Sequence, residues 1–107
     1  MPNRGEVIWI NLNPQAGHEQ AGHRPALVLS PKAYNRKTGL ALMCPITNQA
    51  KGYPFEVSLP AGSGATGVVL ADQLRSLDWR ARKATRKGVV PQPIVDEVIA
   101  KAITLLQ

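Results

Sequence analysis

Gly17-His18-Glu19-Gln20-Ala21-Gly22-His23-Arg24-Pro25-Ala26-Leu27-Val28-Leu29-Ser30-Pro31 is a polar, glycine-punctuated loop that runs straight into a short apolar strand. The loop gathers two imidazoles, a carboxylate, an amide and a guanidinium, and Ala26 to Leu29 anchor it to a core. Polar groups on a loop beside a rigid support are the makings of a binding or catalytic site. Pro25 disfavours the α region for Arg24, so the arginine is expected to be extended at the mouth of the strand, its side chain directed out of the loop base.

Upstream, Glu6-Val7-Ile8-Trp9-Ile10-Asn11-Leu12 is rich in β-branched and aromatic residues and reads as a strand buried on both faces, ending at Asn13-Pro14. Downstream, Lys32 to Arg36 is expected to form one helical turn, with Ser30 as N-cap and Pro31 at the first helical position. Leu40 to Ile46 is a third apolar run, and its Pro45 predicts a strand end or bulge. Thr47, Asn48 and Gln49 then fall just past the sheet. Phe55, Val57 and Leu59 alternate with Glu56 and Ser58, the period of a half-buried strand. Pro60 to Gly67 turns the chain into Val68 to Ala71, and Leu74 to Trp79 is a further strand. Arg80 to Gly88 reads as a solvated, basic strand or loop. From Pro93 onward Ile94, Val95, Val98, Ile99, Ala102, Ile103 and Leu106 share one face at helical spacing, with Asp96 and Glu97 placed in the first turn to meet the macrodipole. About six short strands and one terminal helix predict a single, mainly β domain over residues 1–107: a small SH3-like barrel closed by a C-terminal α-helix.

A chain of 107 residues with 44% hydrophobic content supports one real core and no second domain. Thirteen Lys and Arg against seven Asp and Glu give a net charge of +6, which attracts polyanions; nucleic acid leads the partner list, and solubility is the plainer reading. The lone Cys44 has no partner for an internal disulfide and reads as a small buried hydrophobe. No signal core or bilayer-length apolar stretch is present, so a cytoplasmic protein is expected.

His18, Glu19 and His23 lie in one loop without the helical His spacing or paired Cys of zinc sites, which argues against metal catalysis. Nucleophile-elbow and P-loop motifs are absent. What remains is a set of cationic and hydroxyl groups around an extended strand, suited to stabilising a phosphoryl transition state without metal. RNA carries its own nucleophile, so a protein need only orient the chain, neutralise charge on the phosphate and assist two proton transfers. In that scheme Arg24 stabilises charge, Thr47 offers a hydroxyl, and Glu19 or a histidine takes the 2′-proton. Each residue has a structural alternative. Arg24 pairs with Glu6 or Asp72 on the surface, Thr47 caps a turn, Tyr53 and Trp79 belong to the core instead of stacking on bases, and the basic run Arg75 to Lys87 is a solvated face.

Gly5-Glu6-Val7-Ile8-Trp9, the run Glu19 to Pro31, Tyr34-Asn35, Lys37-Thr38-Gly39, Pro45-Ile46-Thr47, Gln49, Lys51 to Val57, Ala71-Asp72-Gln73 and Trp79-Arg80-Ala81-Arg82 together resemble the MazF/PemK family of toxin endoribonucleases, along nearly the whole chain. The resemblance implies a homodimer of small barrels that cleaves single-stranded messenger RNA at a short sequence, without metal or other cofactor, as the toxin half of a toxin–antitoxin pair. It implies catalytic roles for Arg24, Thr47 and Glu19, and RNA contacts at His23, Lys51 and Gln73; Gln20, Asn48 and Arg82 are further candidate RNA contacts. Its cognate MazE-like antitoxin would lay an acidic, largely disordered tail over the same surface, in keeping with the positive charge. Asn48 and the stretch Asn13 to His18 depart from the family pattern, so the recognised bases do not transfer. The same barrel serves a related family of gyrase poisons, which is the competing mechanism, and a non-catalytic RNA-binding barrel is the third reading.

Overall fold

The computed structural model describes residues 2–13 and 22–107. In chain order the elements are β1 (Glu6–Asn11), β2 (His23–Val28), α1 (Lys32–Thr38), β3 (Leu40–Thr47), β4 (Glu56–Ser58), β5 (Val68–Leu70), β6 (Arg75–Asp78), β7 (Thr85–Val89) and α2 (Gln92–Ile103), with single 3₁₀ turns at Ala71–Gln73 and Thr104–Leu106. All strand pairings are antiparallel, in the order β4-β5-β3-β2-β1-β7, with β6 also on β3.

The first three strands look continuously apolar because each buries both faces. Val7, Leu27, Cys44 and Ile46 join the core packed by Val95 and Val98 of α2, whereas Ile8, Ile10, Ala26, Val28, Ala41 and Met43 join a second core with Leu77 and Trp79. Neighbours along a strand point to opposite faces, so one sheet separates two cores. Trp9 is the exception on β1 and stays 39% exposed.

Several expectations need correction. The path does not close, since β4 and β7 end it and are not paired to each other. The barrel is therefore an open sheet, and the turn between β4 and β5 fills the seam. There Gly64 lies against the Lys87 backbone and Gly88 against that of Ser63, so closely that a Cβ at either would collide with backbone. Thr85–Val89 settles as a seventh strand although it is mostly exposed, because its ladder to β1 supplies what its own sequence lacks. Pro45 lies inside β3, between the residues paired to β6 (40–43) and those paired to β5 (46–47), where its missing N–H costs neither ladder a bond.

Helix α1 has Pro31, not Ser30, at its N-cap, with no side-chain cap. Ser30 is buried, and its hydroxyl donates to Asn35 Oδ1 (2.6 Å) and accepts the Leu42 N–H (2.8 Å). Asn35, fully buried, donates Nδ2 to the carbonyls of Pro2 (2.9 Å) and Ser30 (3.0 Å) and accepts the Trp79 indole N–H at its own carbonyl (3.0 Å). The polar group predicted to start a helix instead ties α1 into the core. Helix α2 begins at Gln92, which leaves its first turn without an acidic residue. Asp96 accepts from Gln92 Nε2 (2.9 Å), and Glu97 pairs with Lys101 (3.5 Å). Val95, Val98 and Ala102 are buried as the helical spacing requires, but Ile103 and Leu106 remain exposed. No helix among the described residues is long and apolar enough to cross a membrane.

Candidate functional site

Arg24 and His23 open β2 and are extended, as the proline after Arg24 dictates. Their strand partners on β1 are Ile10 and Asn11. Both side chains are exposed, and the His23 ring stacks on Trp9 at 6.2 Å between centroids and 19° between planes. Lys87 Nζ stands 5.9 Å from the centroid of the same indole. With Asn48 and Thr66, these residues line an open groove of about 450 Å³.

The base of this bank is tied down by hydrogen bonds. Leu12 N–H donates to the Gly22 carbonyl (2.8 Å) and Gly22 N–H to Asn13 Oδ1 (2.9 Å). Arg82 Nη1 donates to the carbonyls of Asn11 (2.9 Å) and Asn13 (2.6 Å), and Arg75 Nη1 reaches that of Leu12 (3.3 Å).

A second groove, of about 280 Å³, begins at the end of β3 and is lined by Thr47, Lys51, Tyr53, Glu56, Asp72 and Gln73 among others. Thr47 is 6% exposed; its Oγ1 accepts the Gln49 N–H (3.1 Å), which leaves the hydroxyl proton available to donate. Gly67 presses on the Thr47 carbonyl, where a Cβ would collide. Glu56 shapes the loop that carries Lys51 and Tyr53. Its carboxylate accepts the N–H groups of Lys51 (2.9 Å) and Gly52 (2.9 Å), and its own N–H donates to the Tyr53 carbonyl (3.1 Å). The two grooves adjoin at the Thr47–Asn48 peptide, where Asn48 Oδ1 accepts from Thr66 (2.7 Å).

The structure thus brings Arg24, His23 and Asn48 into one groove and Thr47, Lys51 and Gln73 into its neighbour. The β2–β3 ladder ends at Ala26–Pro45, and the same register carried onward sets Arg24 level with Thr47. Arg82 lines neither groove. Glu19, Gln20 and His18 lie outside the described residues. Glu6, the first carboxylate considered as a surface partner for Arg24, is paired with Arg86 at 3.1 Å. Of the two aromatics considered for base stacking, Tyr53 is 58% exposed and lines the second groove, whereas Trp79 is 8% exposed and held in the core. Trp9 and Lys87 were missed. Trp9 sits in a run so apolar that nothing in the pattern singles it out, and Lys87 is one of many cations between Arg75 and Lys87. Thr47 does cap its turn, and it lines the groove as well. Cys44, in β3, has its thiol pushed up to about 12, first by burial and then by the Asp72 charge. Among the described residues no three His, Cys, Asp or Glu side chains are grouped to hold a metal ion.

This architecture has close counterparts. The family model for the PemK-like, MazF-like toxin of type II toxin–antitoxin systems matches residues 3–106. The chain belongs to the PemK/MazF toxin family. Within it, the chain is 52% identical over 106 residues to the endoribonuclease toxin MazF of Escherichia coli K12, covering 99% of this chain and 95% of the relative. It is 44% identical over 107 residues to the E. coli endoribonuclease PemK, covering 96% and 80%. MazF from Deinococcus radiodurans superposes with a TM-score of 0.94 at 58% identity, covering 98% of this chain and 96% of that one. In a MazE–MazF structure from the same organism the corresponding values are 0.86, 51%, 98% and 94%. Like these PemK/MazF structures, the chain is an antiparallel sheet with a C-terminal helix.

Proposed function

We propose that this toxin-family endoribonuclease cleaves single-stranded RNA at the junction of the two grooves, using the substrate's own 2′-hydroxyl and no metal. The observation that carries the reading is the exposed Arg24 in one groove with the Thr47 hydroxyl lining the next, at the same level of neighbouring strands. In the proposed step the 2′-oxygen bonds to phosphorus, the bond from phosphorus to the 5′-oxygen breaks, and the products are a 2′,3′-cyclic phosphate and a 5′-hydroxyl. Arg24 matches its planar fork to the phosphate oxygens and lowers the energy of their developing charge, and Thr47 donates a further hydrogen bond. Glu19 or His23 accepts the 2′-proton, and the leaving 5′-oxygen gains one. We assign that donation to Arg24, whose guanidinium carries N–H donors and no acceptor.

The cations that flank the site, Lys87 on one side and Lys51 on the other, hold the RNA backbone, while Trp9 and Tyr53 offer apolar faces to unpaired bases. Asn48, Gln73 and Gln20 supply hydrogen bonds to base edges. The protein works as a homodimer, and a MazE-like antitoxin restrains it; the MazE–MazF structures that resemble this chain support that partner. An acidic antitoxin tail would compete with RNA for the same cations.

The test is cleavage of an unstructured RNA in excess chelator with the ends mapped. Cutting should persist and leave 5′-hydroxyl ends. Arg24→Ala should lower the rate by about a thousandfold and Thr47→Ala by about a hundredfold, each with its thermal transition retained. Loss of cutting on chelation would overturn the metal-free step. A protein that leaves RNA intact and stalls DNA supercoiling would be a gyrase poison instead.

A further inference from the structure

We infer that Arg82, with Arg75 beside it, is a positioning residue that fixes the strand end bearing Arg24 and His23. The inference rests on the nuclease reading above, and it gives Arg82 a role other than the RNA contact expected from sequence. Guanidinium N–H groups meet three successive carbonyls: Arg82 Nη1 those of Asn11 (2.9 Å) and Asn13 (2.6 Å), Arg75 Nη1 that of Leu12 (3.3 Å). These are the carbonyls of the last residue of β1 and of the two residues just beyond it, at and past the final pair of the β1–β2 ladder, Asn11–His23. Carbonyls at a strand end need donors from elsewhere, and here they come from residues more than sixty positions away in sequence.

The consequence reaches the site through the backbone. Asn11 is the strand partner of His23, and Ile10 that of Arg24. Leu12 and Asn13 are in turn hydrogen-bonded to Gly22, so a shift of the carbonyl row displaces the start of β2 with it. An error of about 1 Å in a group that must meet the transition state is enough to cost a large factor in rate. Both protons of Arg82 Nη1 are spent on carbonyls, and the side chain is half-buried and outside both grooves, which leaves it poorly placed to hold a phosphate.

The experiment compares the full chain with Arg82→Ala and Arg82→Lys in steady-state cleavage of a short RNA. It adds equilibrium binding of the uncleavable 2′-deoxy analogue across a salt series, and hydrogen exchange of the Leu12 and Gly22 amides. The expected result is a kcat lowered about ten- to a hundredfold in both variants, with KM and the salt slope of binding unchanged and both amides exchanging faster. Lysine should fail to rescue, because it keeps the charge but not the flat guanidinium that spans the carbonyls. A salt slope reduced by about 0.7, with activity largely kept by lysine, would make Arg82 a phosphate contact and overturn the inference. So would a kcat per folded molecule equal to that of the parent. Should Arg82→Ala fail to fold, Arg82→Lys and Arg75→Ala carry the same readouts. A parent protein that cuts no RNA overturns the nuclease reading instead, and the amide exchange rates then decide the brace.

Discussion

The two banks of the site are held by opposite charges. On the Arg24 bank, guanidinium groups from Arg75 and Arg82 collect backbone carbonyls. On the Lys51 bank, the Glu56 carboxylate collects backbone N–H groups from Lys51 and Gly52. The first bank continues the β1–β2 ladder and rests on Ile8, Ile10 and Leu12, all buried. The second hangs from a strand of three residues, and its loop residues Lys51, Gly52 and Tyr53 are exposed. Under the proposed function this difference separates two tasks: the bank built on the ladder would carry Arg24, which must be placed accurately for chemistry, and the loop shaped by Glu56 would carry Lys51 and Tyr53, which hold substrate.

Two glycines probe this division with the largest expected effect. Gly67 has φ +105° and packs on the Thr47 carbonyl, whereas Gly22 has φ +76° and open space where a Cβ would be. Gly67→Ala must therefore shift backbone as well as strain its own, and should cost about 3 kcal/mol or more. Gly22→Ala bears only the left-handed penalty, about 1 kcal/mol. Urea unfolding of both variants checks the ranking. Equal losses would mean that the seam beside Thr47 is as yielding as the open end of the Arg24 bank.

Glu56 gives the next effect. Glu56→Ala removes the acceptor of two exposed amides, which water can satisfy, so the fold should survive while the loop loses its shape. We expect KM to rise about tenfold with kcat within about twofold, and Glu56→Gln, which keeps one carbonyl acceptor, to fall between. This is the reverse of the pattern expected for Arg82. A kcat loss without a KM change in Glu56→Ala would break the contrast between the banks.

What the sequence disclosed and what it hid follow the same line between local and distant causes. Arg24 was legible because the proline beside it restricts its backbone, and α2 because its apolar residues recur at helical spacing. Thr47, expected just past the sheet, is instead the last residue of β3 and is paired with Val68, because its place in the ladder is set by β5 and not by the apolar run before it. The exchange of roles between Trp9 and Trp79 was not legible, since burial of Trp79 depends on the Asn35 carbonyl, 44 positions away. Arg82 reads as one cation among many until its partners at Asn11 and Asn13 are seen, and β7 is a strand only by virtue of β1. Closure of the barrel failed as an expectation because strand count does not say whether the two edge strands meet.

The smallest effect is the one that removal of the Asp72 charge should have on the buried thiol near its groove. The Cys44 thiol is fully buried in β3 and held up at about 12, mainly by burial and secondarily by Asp72, which lines the second groove. Because the folded state keeps the proton, this group's contribution is complete below the ordinary thiol value of 9.0 and is lost as pH rises from there toward about 12. Within that window stability should fall by about 1.4 kcal/mol per pH unit on account of Cys44, a slope obtained by subtracting the curve of Cys44→Ala. Asp72→Asn should leave the slope in place and lower its upper limit slightly, because burial is the larger cause. If Asp72→Asn abolished the slope, the charge and not the burial would govern the thiol, and the core beneath β3 would be open to the field of the groove above it.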